Sequence, residues 1–114
     1  MNACMFCRIA ERKVPSEIVY EDDQIVAFHD INPQAPLHIL IIPRRHVVSV
    51  EELKEADAPL LGHMMLVGAK IARDRGVGDS GYRIVFNTGM HGGQTVFHVH
   101  LHLLGGRPMS WPPG

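Results

Sequence analysis

The segment His98-Val99-His100-Leu101-His102-Leu103-Leu104 constrains the fold more than any other stretch of the chain. Apolar and polar residues alternate with a period of two, the period of an extended strand rather than a helix. On such a strand Val99, Leu101 and Leu103 take one face, and His98, His100 and His102 take the other. The fold must cover the first face with apolar partners and find a use for imidazoles on the second. A final strand is therefore expected over "VFHVHLHLL", residues 96–104.

The rest of the chain supplies those partners. "EIVYEDDQIVAFHDI" reads as two strands joined by a turn at Asp22-Asp23, the second ending near His29. "NPQAP" interrupts the ladder, because each proline removes a donor. "LHILIIP" is a β-branched strand ending at Pro43, and Tyr82 to Asn87 is another. Leu61, Met64, Met65, Gly68, Ile71, Ala72 and Arg75 fall at helical spacing, with Gly76 and Gly78 as the stop. Ser49 and Glu52 have capping-box spacing for a short helical piece. Phe6 to Arg12 reads as a short helix closed before Val14-Pro15. About five strands and one long helix, in an order that is not β-α-β-α, predict an α+β fold with an antiparallel sheet. With no repeat, linker or low-complexity tract, residues 1–114 read as one domain.

Charge and hydropathy narrow the function classes. A formal net charge of −1 advertises no polyanion partner, so nucleic-acid binding through a basic face is not expected. The longest mainly apolar run, "LHILIIP", is too short to cross a bilayer and contains His38. "MNACMFCRIAERK" turns polar at once, unlike a signal peptide, so the expectation is a cytoplasmic protein.

Eight histidines is the outlying number, and His91, His98, His100 and His102 crowd into one short stretch. Along a straight strand neighbouring triad members stand roughly 6.6–6.8 Å apart. A zinc–nitrogen bond is about 2.0–2.1 Å, so one ion does not easily collect all three. The three histidines are expected to have different jobs. Cys4 and Cys7 have C-x-x-C spacing, which in a cytosolic chain suggests a metal site or a redox pair. A thioredoxin-like motif would follow a strand, and none precedes Cys4, so half of a zinc site fits better. His98, with His46 from just after a strand end, can complete a closed Cys₂His₂ set, which would be structural. That leaves His100 and His102 beside "GMHGGQT", a glycine-rich loop able to turn backbone N–H groups toward an anion. A neutral imidazole is a competent nucleophile toward phosphorus. These residues point to phosphoryl or nucleotidyl transfer.

The triad matches the H-φ-H-φ-H-φ-φ signature, φ being apolar, and the chain resembles the histidine triad superfamily. "AFHDINPQAPLHILIIPRRH", "GYRIVFNTG", "GGQTVFHVHLHLLGGRP" and the terminal "WPPG" resemble its Hint branch, the nucleoside phosphoramidases. The resemblance implies that His100 is the nucleophile, passing through a nucleotidyl-imidazole intermediate, and that His102 contacts the phosphate and balances its charge. It places phosphate binding on Asn87, Gly93, Gln94 and Thr95, with the Thr95 hydroxyl assisting the leaving group. It places the nucleoside pocket on Phe6, Ile9, Phe28, His29, Asp30 and Ile31. Asp30 would accept from the ribose hydroxyls, as a carboxylate can from two vicinal donors. His38 matches a position near the nucleophile that could orient it. The resemblance also implies a homodimer whose sheets join across a two-fold axis, with Trp111 in the tail reaching the partner's site. Some Hint relatives lack the cysteine pair, while other histidine triad branches carry it with zinc; the Hint branch uses no metal in catalysis.

The expected activity is hydrolysis of the P–N bond of adenosine or guanosine 5′-phosphoramidates. Alternatives are a dinucleoside polyphosphate hydrolase, since such relatives carry glutamine close before the triad and Gln94 stands there, a nucleotide-binding regulatory protein with little turnover, and a metal-dependent hydrolase. His63 reads as a satisfied helix residue, and His91 as a solvated one.

Overall fold

The computed structural model describes residues 3–114. Its elements run α1 (Met5–Ala10), β1 (Ile18–Glu21), β2 (Ile25–His29), β3 (Leu37–Pro43), α2 (Ala58–Asp74), β4 (Tyr82–Phe86) and β5 (Leu101–Gly105), with short 3₁₀ turns at Val50–Glu52 and Glu55–Asp57. The strands form one five-stranded sheet in the order β1-β2-β3-β5-β4, antiparallel at every pairing. This is the expected α+β architecture.

Alternation on β3 divides the molecule into two layers. Ile39 and Ile41 join Ile25, Ala27, Leu101 and Leu103 under Met64, Val67, Ile71 and Ala72 of α2. Gly68 faces the same layer, where a Cβ would make ordinary contacts with Ile41 and Leu101 at 3.5 and 3.7 Å. Leu40 and Ile42 point the other way, with Val26 and Phe28, against Phe6, Ile9 and Ala10 of α1. β3 is therefore buried on both faces along its whole length, which explains why "LHILIIP" is an apolar run and not an alternating one. Among the described residues no helix is long and apolar enough to cross a membrane.

Several details differ from the sequence reading: α1 spans Met5–Ala10, not Phe6 to Arg12, and β4 ends at Phe86, not Asn87. Helix α2 begins three residues before Leu61, because Pro59 lies in its first turn, where its fixed φ suits a helix start. Ser49 and Glu52 do not form a reciprocal box: Ser49 Oγ accepts from the Glu51 N–H while Glu52 Oε1 accepts from Val48, giving only a 3₁₀ turn. The largest correction concerns the triad strand, which starts at Leu101 instead of at residue 96. Its ladder with β3 stops at the Ile41–Leu101 pair. Beyond it Pro43 has no N–H to give, and its carbonyl accepts from Nε2 of His98. His98 and His100 thus sit on an irregular lead-in, with only His102 in the sheet.

Candidate active site and metal cluster

The three imidazoles still fall on the α1 side of the sheet. The ring of Phe6 meets His98 and His100 edge-on, with centroids 6.0 and 5.1 Å away, and His100 lies 4.8 Å from His102. The first two histidines are buried and the third half-buried.

His98 belongs to a cluster with Cys4, Cys7 and His46, whose donor atoms all lie within 4.8 Å of one another. Cys4 caps the short helix, its Sγ accepting from the Cys7 N–H, and the i, i+3 spacing brings both sulfurs to one end. Nδ1 of His98 is 3.4 Å from Cys4 Sγ, 3.5 Å from Cys7 Sγ and 3.2 Å from Nδ1 of His46, which is 3.3 Å from Cys7 Sγ. Tetrahedral zinc with ordinary bond lengths would require edges of about 3.3 Å between nitrogens and about 3.6 Å between nitrogen and sulfur. The cluster fits. Donation from Nε2 of His98 to the Pro43 carbonyl, 2.8 Å away, places the lone pair on Nδ1, where a metal would need it.

His100 has the opposite tautomer for an equally local reason. Its Nδ1 donates to the His98 carbonyl at 2.8 Å, which leaves the lone pair on Nε2. Burial lowers its pKa, so the ring is neutral at pH 7. His102 is set from across the sheet. In the β3–β5 register Leu40 faces His102 and His38 faces Leu104, so His38 and His102 are diagonal neighbours on one face. The Gln34 N–H donates to Nδ1 of His38 at 3.0 Å, so the proton of neutral His38 lies on Nε2. That nitrogen is 2.9 Å from Nδ1 of His102, which must accept, leaving the His102 proton on Nε2. His38 thus meets the triad through His102, whose ring lies beside that of His100. Burial, then the neighbouring His100 and His38, depress the His102 pKa to about 4. A phosphate entering beside the ring would push it back up.

These rings open on a mainly apolar cavity of about 560 Å³, a size suited to one small-molecule ligand. Phe6, Ile9, Phe28, His29, Asp30, Ile31, His38, Thr95, His100 and His102 all line it. Asn87, Gly93, Gln94 and Trp111 do not. Gln94 is buried, and its side-chain amide is engaged in the loop: Oε1 accepts from Gly89, while Nε2 donates to the carbonyls of Val48 and Val96. The loop's own carbonyls take the N–H groups of Gly93 and Gln94. Trp111 is 84 % exposed on this chain. His91 is exposed, as expected. His63 is more than a satisfied helix residue, since its Nε2 lies 2.6 Å from Asp22 Oδ2 and ties α2 to the β1–β2 turn.

A buried imidazole whose tautomer is fixed by a hydrogen bond thus lines a cavity sized for one small-molecule ligand. Comparison with known proteins gives the family. The family described as "Scavenger mRNA decapping enzyme C-term binding" matches residues 3–111. The "Purine nucleoside phosphoramidase" of Escherichia coli (strain K12) is 50 % identical over 106 residues, covering 93 % of this chain and 89 % of that one. The crystal structure of a "HIT family hydrolase from Legionella pneumophila Philadelphia 1" superposes with a TM-score of 0.95 at 49 % identity, over 97 % of this chain and 99 % of the other. A "ZN-bound histidine triad family protein from Mycobacterium smegmatis" superposes with a TM-score of 0.80 at 33 % identity, over 92 % and 76 %. The chain belongs to the histidine triad family.

Proposed function

We propose that the protein is a nucleoside phosphoramidase that hydrolyses the P–N bond of adenosine or guanosine 5′-phosphoramidates. The observation that carries this reading is the hydrogen bond from Nδ1 of His100 to the His98 carbonyl, which directs a neutral lone pair on Nε2 toward the cavity chemistry. The half-identical phosphoramidase relative supports the substrate class. In the first step Nε2 bonds to phosphorus and the P–N bond breaks, the leaving amine taking up a proton from solvent. In the second a water attacks phosphorus and returns a proton to solvent, the P–Nε2 bond breaks, and nucleoside monophosphate departs. One water is consumed overall. His102 donates from Nε2 to a phosphoryl oxygen, and Thr95 at the cavity rim assists the leaving amine. Phe6, Ile9, Phe28 and Ile31 enclose the base, His29 flanks it, and Asp30 accepts from the ribose hydroxyls. The loop of Asn87, Gly93 and Gln94 frames the phosphate end.

Zinc held by Cys4, Cys7, His46 and His98 would supply structure, since four protein ligands leave no position for substrate. The Zn-bound relative and the tetrahedral edge lengths support that assignment. The protein works in the cytoplasm as a homodimer. The reading is supported by β4 being an edge strand, where sheets can join, and by the exposure of Trp111.

The test is turnover of adenosine 5′-phosphoramidate beside a diadenosine polyphosphate. Preference for the phosphoramidate supports the reading. Preference for the polyphosphate moves it to the other hydrolase class, and tight AMP binding without turnover of either moves it to a regulatory protein.

A further inference from the structure

Asp30 stands where two parts of the site meet. Its Oδ1 accepts from the Asn32 N–H at 2.8 Å, and its backbone N–H donates to the His38 carbonyl, so the carboxylate is fixed beside that residue. Its Oδ2 lies 3.4 Å from Nε2 of His38, the same nitrogen that stands 2.9 Å from Nδ1 of His102. His38 has one proton to share on that side, because its Nδ1 is occupied by the Gln34 N–H. Two acceptors therefore compete for one proton, and both belong to residues that line the cavity. The same three side chains bring three donor atoms close together, yet a cation there would need the Nε2 lone pair that the Gln34 contact denies. The arrangement is a hydrogen-bond relay.

We propose that Asp30 is a positioning residue for His102 as well as a sugar acceptor, so that a vicinal diol on the nucleoside strengthens the grip of His102 on the phosphate. This rests on the phosphoramidase reading for its substrate. Ribose hydroxyls donating to Oδ2 reduce its pull on the His38 proton, which then goes more fully to Nδ1 of His102. An imidazole that accepts more strongly at Nδ1 is a better donor at Nε2. Charge on the phosphoryl oxygens grows toward the transition state, so the gain falls on kcat. Sugar recognition and chemistry are thereby coupled through His38.

The experiment compares adenosine 5′-phosphoramidate with its 2′,3′-dideoxy analogue, on the wild type and on His38→Ala. Removing the diol from the wild-type reaction is expected to raise KM and to lower kcat about tenfold, the scale of one modest hydrogen bond. In His38→Ala the kcat effect of the diol should vanish while the KM effect remains. A diol that acts on KM alone, or an equal kcat loss in both proteins, overturns the proposal. A second measurement needs neither turnover nor the variant: imidazole ¹⁵N shifts of the wild type with AMP and with 2′,3′-dideoxy-AMP. The His102 Nδ1 signal should move with AMP and stay nearly still with the dideoxy nucleotide; equal movement overturns the coupling. If no phosphoramidate is turned over, the functional reading falls, and the shifts still decide the relay.

Discussion

The carbonyl of His98 accepts from Nδ1 of His100 at 2.8 Å, while the His98 ring lies against Cys4, Cys7 and His46. One residue thus serves two centres, its side chain anchored in the cluster and its backbone fixing the tautomer of the next histidine.

Disturbing the cluster should consequently be felt at the active site. Cys7→Ser is expected to lower bound zinc well below one per chain. Loss of a structural metal removes several kcal/mol, which for a domain this size lowers Tm by more than about 10 °C. Metal analysis and thermal unfolding check this. In the wild type, a chelator present only during the assay should leave turnover unchanged, because none of the proposed steps uses the metal. Zinc-free wild type with an unaltered Tm would refute the assignment.

Gln94 predicts a different kind of loss. Its buried amide satisfies Gly89, Val48 and Val96 at once. Gln94→Ala leaves those groups without their partner, at about 2–3 kcal/mol. The denaturant midpoint should fall accordingly, and KM for the phosphoramidate should rise as the glycine loop loosens. A stable variant with altered kinetics alone would mean that the side chain meets substrate directly.

Acid should weaken the fold through His102. Its pKa is held at about 4 in the folded chain against an ordinary 6.5, chiefly by burial. Between those values the unfolded chain binds more protons than the folded one, so stability rises with pH across that window. It is fully present above about pH 6.5 and is lost as pH falls toward 4. His38 is shifted in the same direction by burial. Urea midpoints measured from pH 7 to 4.5 should drop in the wild type and drop less in His102→Gln. Equal slopes would contradict the assignment.

Much of this was legible in the sequence. Period-two and helical spacings located the five strands and α2, and the C-x-x-C pair with His46 and His98 named the cluster that the structure assembles. The lead-in at His98 and His100 was not legible, because their alternation is that of a strand; the break comes from Pro43, distant in sequence and adjacent only through the register. The contact of His38 with His102 spans 64 residues and depends on a diagonal pairing that no single segment encodes. His63 gave no motif, since its partner Asp22 lies on a turn that becomes its neighbour only after α2 packs on the sheet. The resemblance places Gln94 at the phosphate, but its amide contacts with Gly89, Val48 and Val96 were not legible, because Val48 meets it only in the folded chain.

The most direct test of the central claim is steady-state hydrolysis of adenosine 5′-phosphoramidate by the wild type and by His100→Ala, with AMP binding measured on both. Loss of the nucleophile should cost several orders of magnitude, well beyond the roughly hundredfold of a misplaced group. The account predicts an active wild type and an essentially inactive variant that still binds AMP. An inactive wild type, or a variant that keeps most of its activity, would contradict it.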